Sequence, residues 1–131
     1  MKKLKITIGD VEVKARLLLE KAPNTIKILE SSQKDLVGKL NHAKICDNEV
    51  FFQSPVFIDG KENPVYPVAG DIGYWTVRQT ICIWYGEMEP LGPTNLFAQI
   101  ELEDLPKFAT EGKKVWNQQG TLIKFEFIEE E

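Results

Sequence analysis

The chain has 131 residues, 43% hydrophobic and 27% charged, with a formal net charge of -4. That length points to one domain, which would bury roughly two thirds of the surface its unfolded chain exposes and needs no staple. The acidic balance excludes a dedicated nucleic-acid surface, which shows a clustered basic excess, and no apolar run is long enough to span a bilayer.

Leu4, Ile6 and Ile8 alternate with Lys5 and Thr7, so a first strand buries one face. Gly9 and Asp10 signal a turn, and residues 11–19 return as a second strand with Val13, Ala15, Leu17 and Leu19 on one side. Pro23 suits the first turn of a helix, because its missing N–H would be unpaired there. Ala22, Ile26 and Leu29 stand at helical spacing, which predicts a helix over 23–32 lying on the sheet. Residues 36–46 read as a strand of weak pattern, and Asp47 and Asn48 form a turn pair. Residues 49–54, EVFFQS, follow as a strand buried on both faces. Three prolines make 55–67 a loop, with a brief strand expected at 56–58.

The densest signal is residues 69–86, AGDIGYWTVRQTICIWYG, two strands hinged at Val77, Arg78 and Gln79. Alternation sends Asp71, Gly73 and Trp75 to one face and Ile72, Tyr74 and Thr76 to the other. Neither face is cleanly polar, so the hairpin reads as a wall packed on both sides. A loop at 87–93, a strand at 95–101, a short helical turn at 102–109 and a closing strand at 121–129 complete the chain. The tail, Glu129, Glu130 and Glu131, reads as a solvated end. About eight closely spaced strands favour a mainly β fold, a closed or nearly closed barrel with one capping helix and a short second helical turn.

No complete catalytic constellation stands out. His42 is the only histidine and has no neighbouring nucleophile in sequence. Cys46 and Cys82, both read as strand residues, suit buried free thiols in a reducing compartment. There is no CxxC, no metal loop and no phosphate-cradling glycine motif. No secretory signal follows the basic Met1, Lys2 and Lys3, which makes a cytoplasmic location the default expectation. Phe51, Gln53, Trp75, Arg78 and Tyr85 are the candidate ligand-binding residues. The aromatics would build an apolar pocket, and the Arg78 guanidinium would receive a carboxylate or a peptide carbonyl. No cofactor or metal is expected.

Residues 22–31 (APNTIKILES), 49–56 (EVFFQSPV) and the 69–86 hairpin, taken in that order, resemble small prokaryotic cyclophilin-like proteins. The resemblance covers about 3–127 and implies a cyclophilin-like barrel. It also implies a proline-sized groove near Phe51 and Gln53, with Gln53 matching the family's glutamine. The arginine on which cyclophilin isomerases depend has no counterpart in Asn41, His42, Ala43, Lys44 or Ile45. Lowering a rotation barrier of about 18–20 kcal/mol needs a positioned donor, and a lysine does not reproduce an arginine fork. The expected function is therefore binding of a peptide or small ligand without efficient catalysis. The alternatives are a weak or atypical peptidyl-prolyl isomerase and a non-catalytic partner subunit of a larger enzyme assembly.

Overall fold

A computed structural model describes residues 1–130. The first two strands, β1 (Lys2–Ile8) and β2 (Val11–Leu17), form the expected hairpin. Leu4, Ile6, Ile8, Val13, Ala15 and Leu17 all point inward and are buried. Leu19 lies beyond the strand and is exposed. Helix α1 (Pro23–Ser31) starts at Pro23 and buries Ile26 and Leu29 on the barrel, with Ala22 buried just before it. The Glu62 carboxylate accepts hydrogen bonds from the Asn24 and Thr25 backbone N–H groups at 3.1 and 2.7 Å. It thus serves donors that have no partner inside the helix.

The remaining strands are β3 (Val37–His42), β4 (Glu49–Gln53), β5 (Pro64–Val65), β6 (Asp71–Trp75), β7 (Thr80–Trp84), β8 (Thr94–Ile100) and β9 (Thr121–Glu129). All pairings are antiparallel, in the order β2-β1-β9-β3-β4-β7-β6-β8, and β2 pairs with β8 to close the ring. This is a closed barrel of eight strands. The two-residue β5 continues on the edge of β8 that β2 leaves free. Closure leaves few unpaired strand edges, which suits chains this apolar. Phe52, Phe97 and Phe125 fill the interior with Tyr74, and the Phe52 and Phe125 rings meet edge-on at 5.3 Å.

The structure corrects the sequence reading in four places. The strand read to Cys46 stops at His42, because the Ala43 N–H bonds to the Glu49 carbonyl and the chain turns through Asp47 at a φ of 57°. Cys46 therefore lies in the turn, and Cys82 alone is a strand residue. The brief strand expected at 56–58 is instead a loop that drives Ile58 into the core, while β5 forms further on. The second helical segment is longer than a turn: α2 (Leu105–Lys114) is flanked by 3-10 turns at Leu102–Asp104 and Val115–Asn117. Finally, Glu129 is paired within β9 and Glu130 bridges Lys3 and Lys14, so the tail is tied down to that point. Glu131 lies outside the described residues.

Helix α1 sits at the end of the barrel where β8 begins, with Asn95 donating to the Thr25 hydroxyl at 2.9 Å. Helix α2 follows β8 after the Leu102–Asp104 turn and closes the other end. Its Gly112 lies against the Tyr85 ring, where an added Cβ would come within 2.8 Å of Cδ2.

Candidate functional site

The β4, β7 and β6 registers set Phe51 beside Cys82 and Gly73, and Gln53 beside Thr80 and Trp75. Phe51, Gln53 and Trp75 therefore share the outer face of the barrel, with Arg78 at the β6–β7 corner. Tyr85 is not with them. It follows Trp84 and turns inward, 5% exposed, into the barrel core.

The outer face carries its own small core. Cys82, Trp84 and Leu96 are buried there, with Leu18, Phe51, Trp75 and Met88 packed around them. Gly73 is required in this layer. A Cβ at that position would lie 2.8 Å from Thr94 Cγ2 and 2.9 Å from Leu96 Cδ2. The corner is braced rather than open. The Gln53 amide donates to the Gln79 carbonyl at 2.8 Å. Gln79, at a φ of 55°, ties the 54–58 loop to the hairpin through both the N–H and the C=O of Ile58. Arg78 is exposed and forms no ion pair among the described residues.

His42 is structural. Its Nδ1 lies 2.8 Å from the Ala43 carbonyl and its Nε2 lies 2.6 Å from the Tyr85 hydroxyl. A carbonyl can only accept, so Nδ1 carries the proton and Nε2 accepts from Tyr85. Trp116 stacks on the ring at 4.5 Å, and burial lowers the imidazole pKa.

The sequence reading passed over Glu49. It is 8% exposed, paired across the sheet with Trp84, and has no cationic partner among the described residues. Burial raises its pKa, and the Cys82 and Cys46 thiols and the Trp84 indole draw it part of the way back. Both thiols are free and buried. Burial and then the Glu49 charge push Cys46 up to about 11, and Cys82 stands well above its ordinary value for the same reasons. Such thiols are protonated and inert at neutral pH. Among the described residues no group of three His, Cys, Asp or Glu side chains is placed to hold a metal ion.

A depression lies beside the wall, at the end of the barrel closed by α2. It is an open groove of about 550 Å³ lined by Arg16, Asp71, Gln99, residues 68–70, residues 101–103 and Leu105. That volume is in the range of small-ligand sites. Register builds its polar side: Arg16 of β2 lies opposite Gln99 of β8, which lies opposite Asp71 of β6. The Arg16 guanidinium donates to Gln99 Oε1, and Gln99 Nε2 donates to Asp71 Oδ1 at 3.0 Å. Asp71 Oδ2 accepts the Val68 N–H at 2.9 Å. Three side chains from three strands thus form one ladder. Arg16 has no carboxylate partner among the described residues, whereas Lys3, on the same groove, pairs with Glu101 and Glu130. Val68 and Ala69 also border a second cleft, of about 440 Å³, lined by Asp47 and residues 86–89. The sequence held one usable sign of the ladder: Arg16 alternates with inward Ala15 and Leu17 and so faces out.

The model of a family described as protein of unknown function (DUF3830) matches residues 4–127. No curated protein matches the chain. Solved structures share its fold. One is McbB in complex with tryptophan, at 17% identity and a TM-score of 0.80, covering 93% of this chain. Another is the solution structure of the hypothetical protein AF2241 from Archaeoglobus fulgidus, at 21% identity and a TM-score of 0.69. It covers 95% of this chain and 92% of its own. This chain spans 43% of the McbB chain. No helix among the described residues is long and apolar enough to cross a membrane.

Proposed function

This chain belongs to the DUF3830 family of proteins of unknown function, and we propose that it works as a binding module for a peptide or small ligand. The ligand lies in the groove beside the Arg16–Gln99–Asp71 ladder. The supporting observation is an arginine held in place by a neighbour's side chain yet unpaired with any acid among the described residues, on a groove of about 550 Å³. A guanidinium in that state is a ready recognition group, because its fork keeps free donors in fixed directions. A closed eight-stranded barrel with a helix at each end supports kinship with the cyclophilin-like barrels that the sequence resembles.

A second reading places the ligand on the outer wall at Phe51, Gln53, Trp75 and Arg78. Its favouring observation is the exposed Arg78 beside the half-buried Trp75. Tyr85 serves neither surface directly and supports the barrel end through His42.

McbB holds tryptophan in its solved complex, so L-tryptophan and blocked dipeptides are the first probes. Binding followed by calorimetry is expected to be lost in Ala69→Trp, which fills the groove, and kept in Arg78→Ala. The reverse pattern assigns the wall, and binding that survives both variants overturns both readings.

A further inference from the structure

Resting on the groove reading, we propose that the groove selects a monocarboxylate carrying an apolar body, with the Arg16 fork receiving the carboxylate. Three features of the surface set this chemistry.

The first is orientation. Arg16 is a strand residue whose guanidinium is drawn toward Gln99, and Gln99 cannot flip freely. Its Nε2 is held by Asp71, whose other oxygen is held by the Val68 N–H. Flipping the Gln99 amide would set two acceptors, its own oxygen and an Asp71 oxygen, against each other. The chain of donors therefore runs one way, from Arg16 to Gln99 to Asp71, and leaves the remaining guanidinium N–H groups unclaimed among the described residues. A guanidinium has five such donors in a planar fork, which matches a carboxylate through two parallel hydrogen bonds.

The second is charge. The groove is lined by two basic side chains, Lys3 and Arg16, and three acidic ones, Asp71, Glu101 and Glu103. Lys3 is already committed to Glu101 and Glu130. The Met1 ammonium, also on the groove, is held by the Glu130 carbonyl and Glu129, so among the described residues Arg16 is the one cation left for an incoming anion, in surroundings with no surplus of positive charge. A singly charged carboxylate is matched there, while a phosphate dianion would meet the repulsion of Asp71 and Glu103 with only one partner to offset it.

The third is the apolar rim. Val68 and Leu102 are 63% and 83% exposed, and both line the groove. Large aliphatic side chains on one depression offer contact to an apolar ligand body, whose burial removes apolar surface from water. The carboxylate end and the apolar body would then be read by different parts of one surface.

Two sources carry this chemistry: a free small acid and the C-terminal carboxylate of a peptide. Three probes of matched shape separate them. They are 4-methylpentanoate, N-acetyl-L-leucine and the neutral N-acetyl-L-leucinamide. Calorimetric titration of the whole protein is expected to show N-acetyl-L-leucine binding about tenfold or more tightly than its amide, a factor equal to about 1.4 kcal/mol. Arg16→Ala removes that preference, and Arg16→Lys restores part of it, since an ammonium keeps the charge without the fork. Circular dichroism melts of both variants check that the barrel is intact. If 4-methylpentanoate binds as well as N-acetyl-L-leucine, the carboxylate and the apolar body suffice, and a free acid is the ligand class. If only N-acetyl-L-leucine binds, the peptide C-terminus is. An amide bound as tightly as the acid overturns the carboxylate proposal and leaves the groove reading standing. Acid binding that persists in Ala69→Trp overturns the groove reading itself. No binding by any of the three probes overturns the carboxylate proposal, and the groove reading is then decided by tryptophan and the dipeptides.

Discussion

The chain has two arginines, Arg16 and Arg78, and their surroundings differ in a way that separates a placed group from a solvated one. Arg78 stands at a hairpin corner where the Gln53 and Gln79 side chains are engaged by backbone groups and by the Tyr74 hydroxyl, so no described residue orients the guanidinium. Arg16 stands near the end of β2, and the neighbouring strand supplies a glutamine that is itself fixed by a carboxylate. An unoriented long side chain must be ordered at the moment of binding, which costs about 0.5–1.5 kcal/mol. A preorganised one has met most of that cost in folding. The wall beside Arg78 differs from the groove beside Arg16 in a second respect. Its aromatics are packed against Cys82, Trp84 and Leu96 as a minor core, whereas the apolar rim of the groove is open.

The contrast is broken most forcibly by Trp84→Ala, which removes the centre of the outer layer. The expected loss is about 3–5 kcal/mol of stability, as for a buried large aromatic, read from denaturant unfolding. A loss near zero would mean that the wall is not a core and is free to serve as a binding face. Arg16→Ala comes next, weakening the carboxylate probe about tenfold, which corresponds to about 1.4 kcal/mol, with little change in stability. Arg78→Ala is the matched control. As an exposed side chain it should shift unfolding by less than about 0.5 kcal/mol and leave binding unchanged.

Glu49→Gln sharpens the view of the wall as packing. The Glu49 pKa is raised on folding, so the folded state disfavours its charged form. Its contribution to stability is full below the ordinary value of 4.5 and is lost as pH rises through the folded pKa. The glutamine cannot ionise, so the melting temperature of the variant should gain on the parent as pH rises. A gap independent of pH would show that the carboxyl is already solvated in the folded protein. The smallest expected effect is on prolyl isomerisation. No acceleration above the uncatalysed rate is expected, and catalysis abolished by Arg78→Ala would move the site back to the wall.

Much of the barrel was legible because its signals are local. Leu4, Ile6 and Ile8 alternate as a half-buried strand must, and Pro23, Ile26 and Leu29 mark a helix start and face within a few residues. The outer and inner faces of the 71–75 strand also followed from alternation alone. What escaped depended on partners far along the chain. Gly112 reads as a helix breaker, yet α2 runs through it because the Tyr85 ring occupies the space of a side chain there. The weak pattern of 36–46 concealed a turn that Glu49, on the next strand, closes through its carbonyl. The ladder escaped for the same reason. Arg16 and Gln99 are 83 positions apart, and only closure of the ring between β2 and β8 makes them neighbours. Glu49 reads in sequence as an ordinary strand-edge charge, and nothing local discloses that Cys46, Cys82 and Trp84 enclose it.

The most direct test of the central claim is an amide-resolved NMR titration of the isotopically labelled protein with N-acetyl-L-leucine. The account predicts that signals from residues 68–71 and 99–105, together with Arg16, move with a common saturation curve while those from 75–80 stay in place. Movement confined to 75–80, with the groove silent, would contradict it.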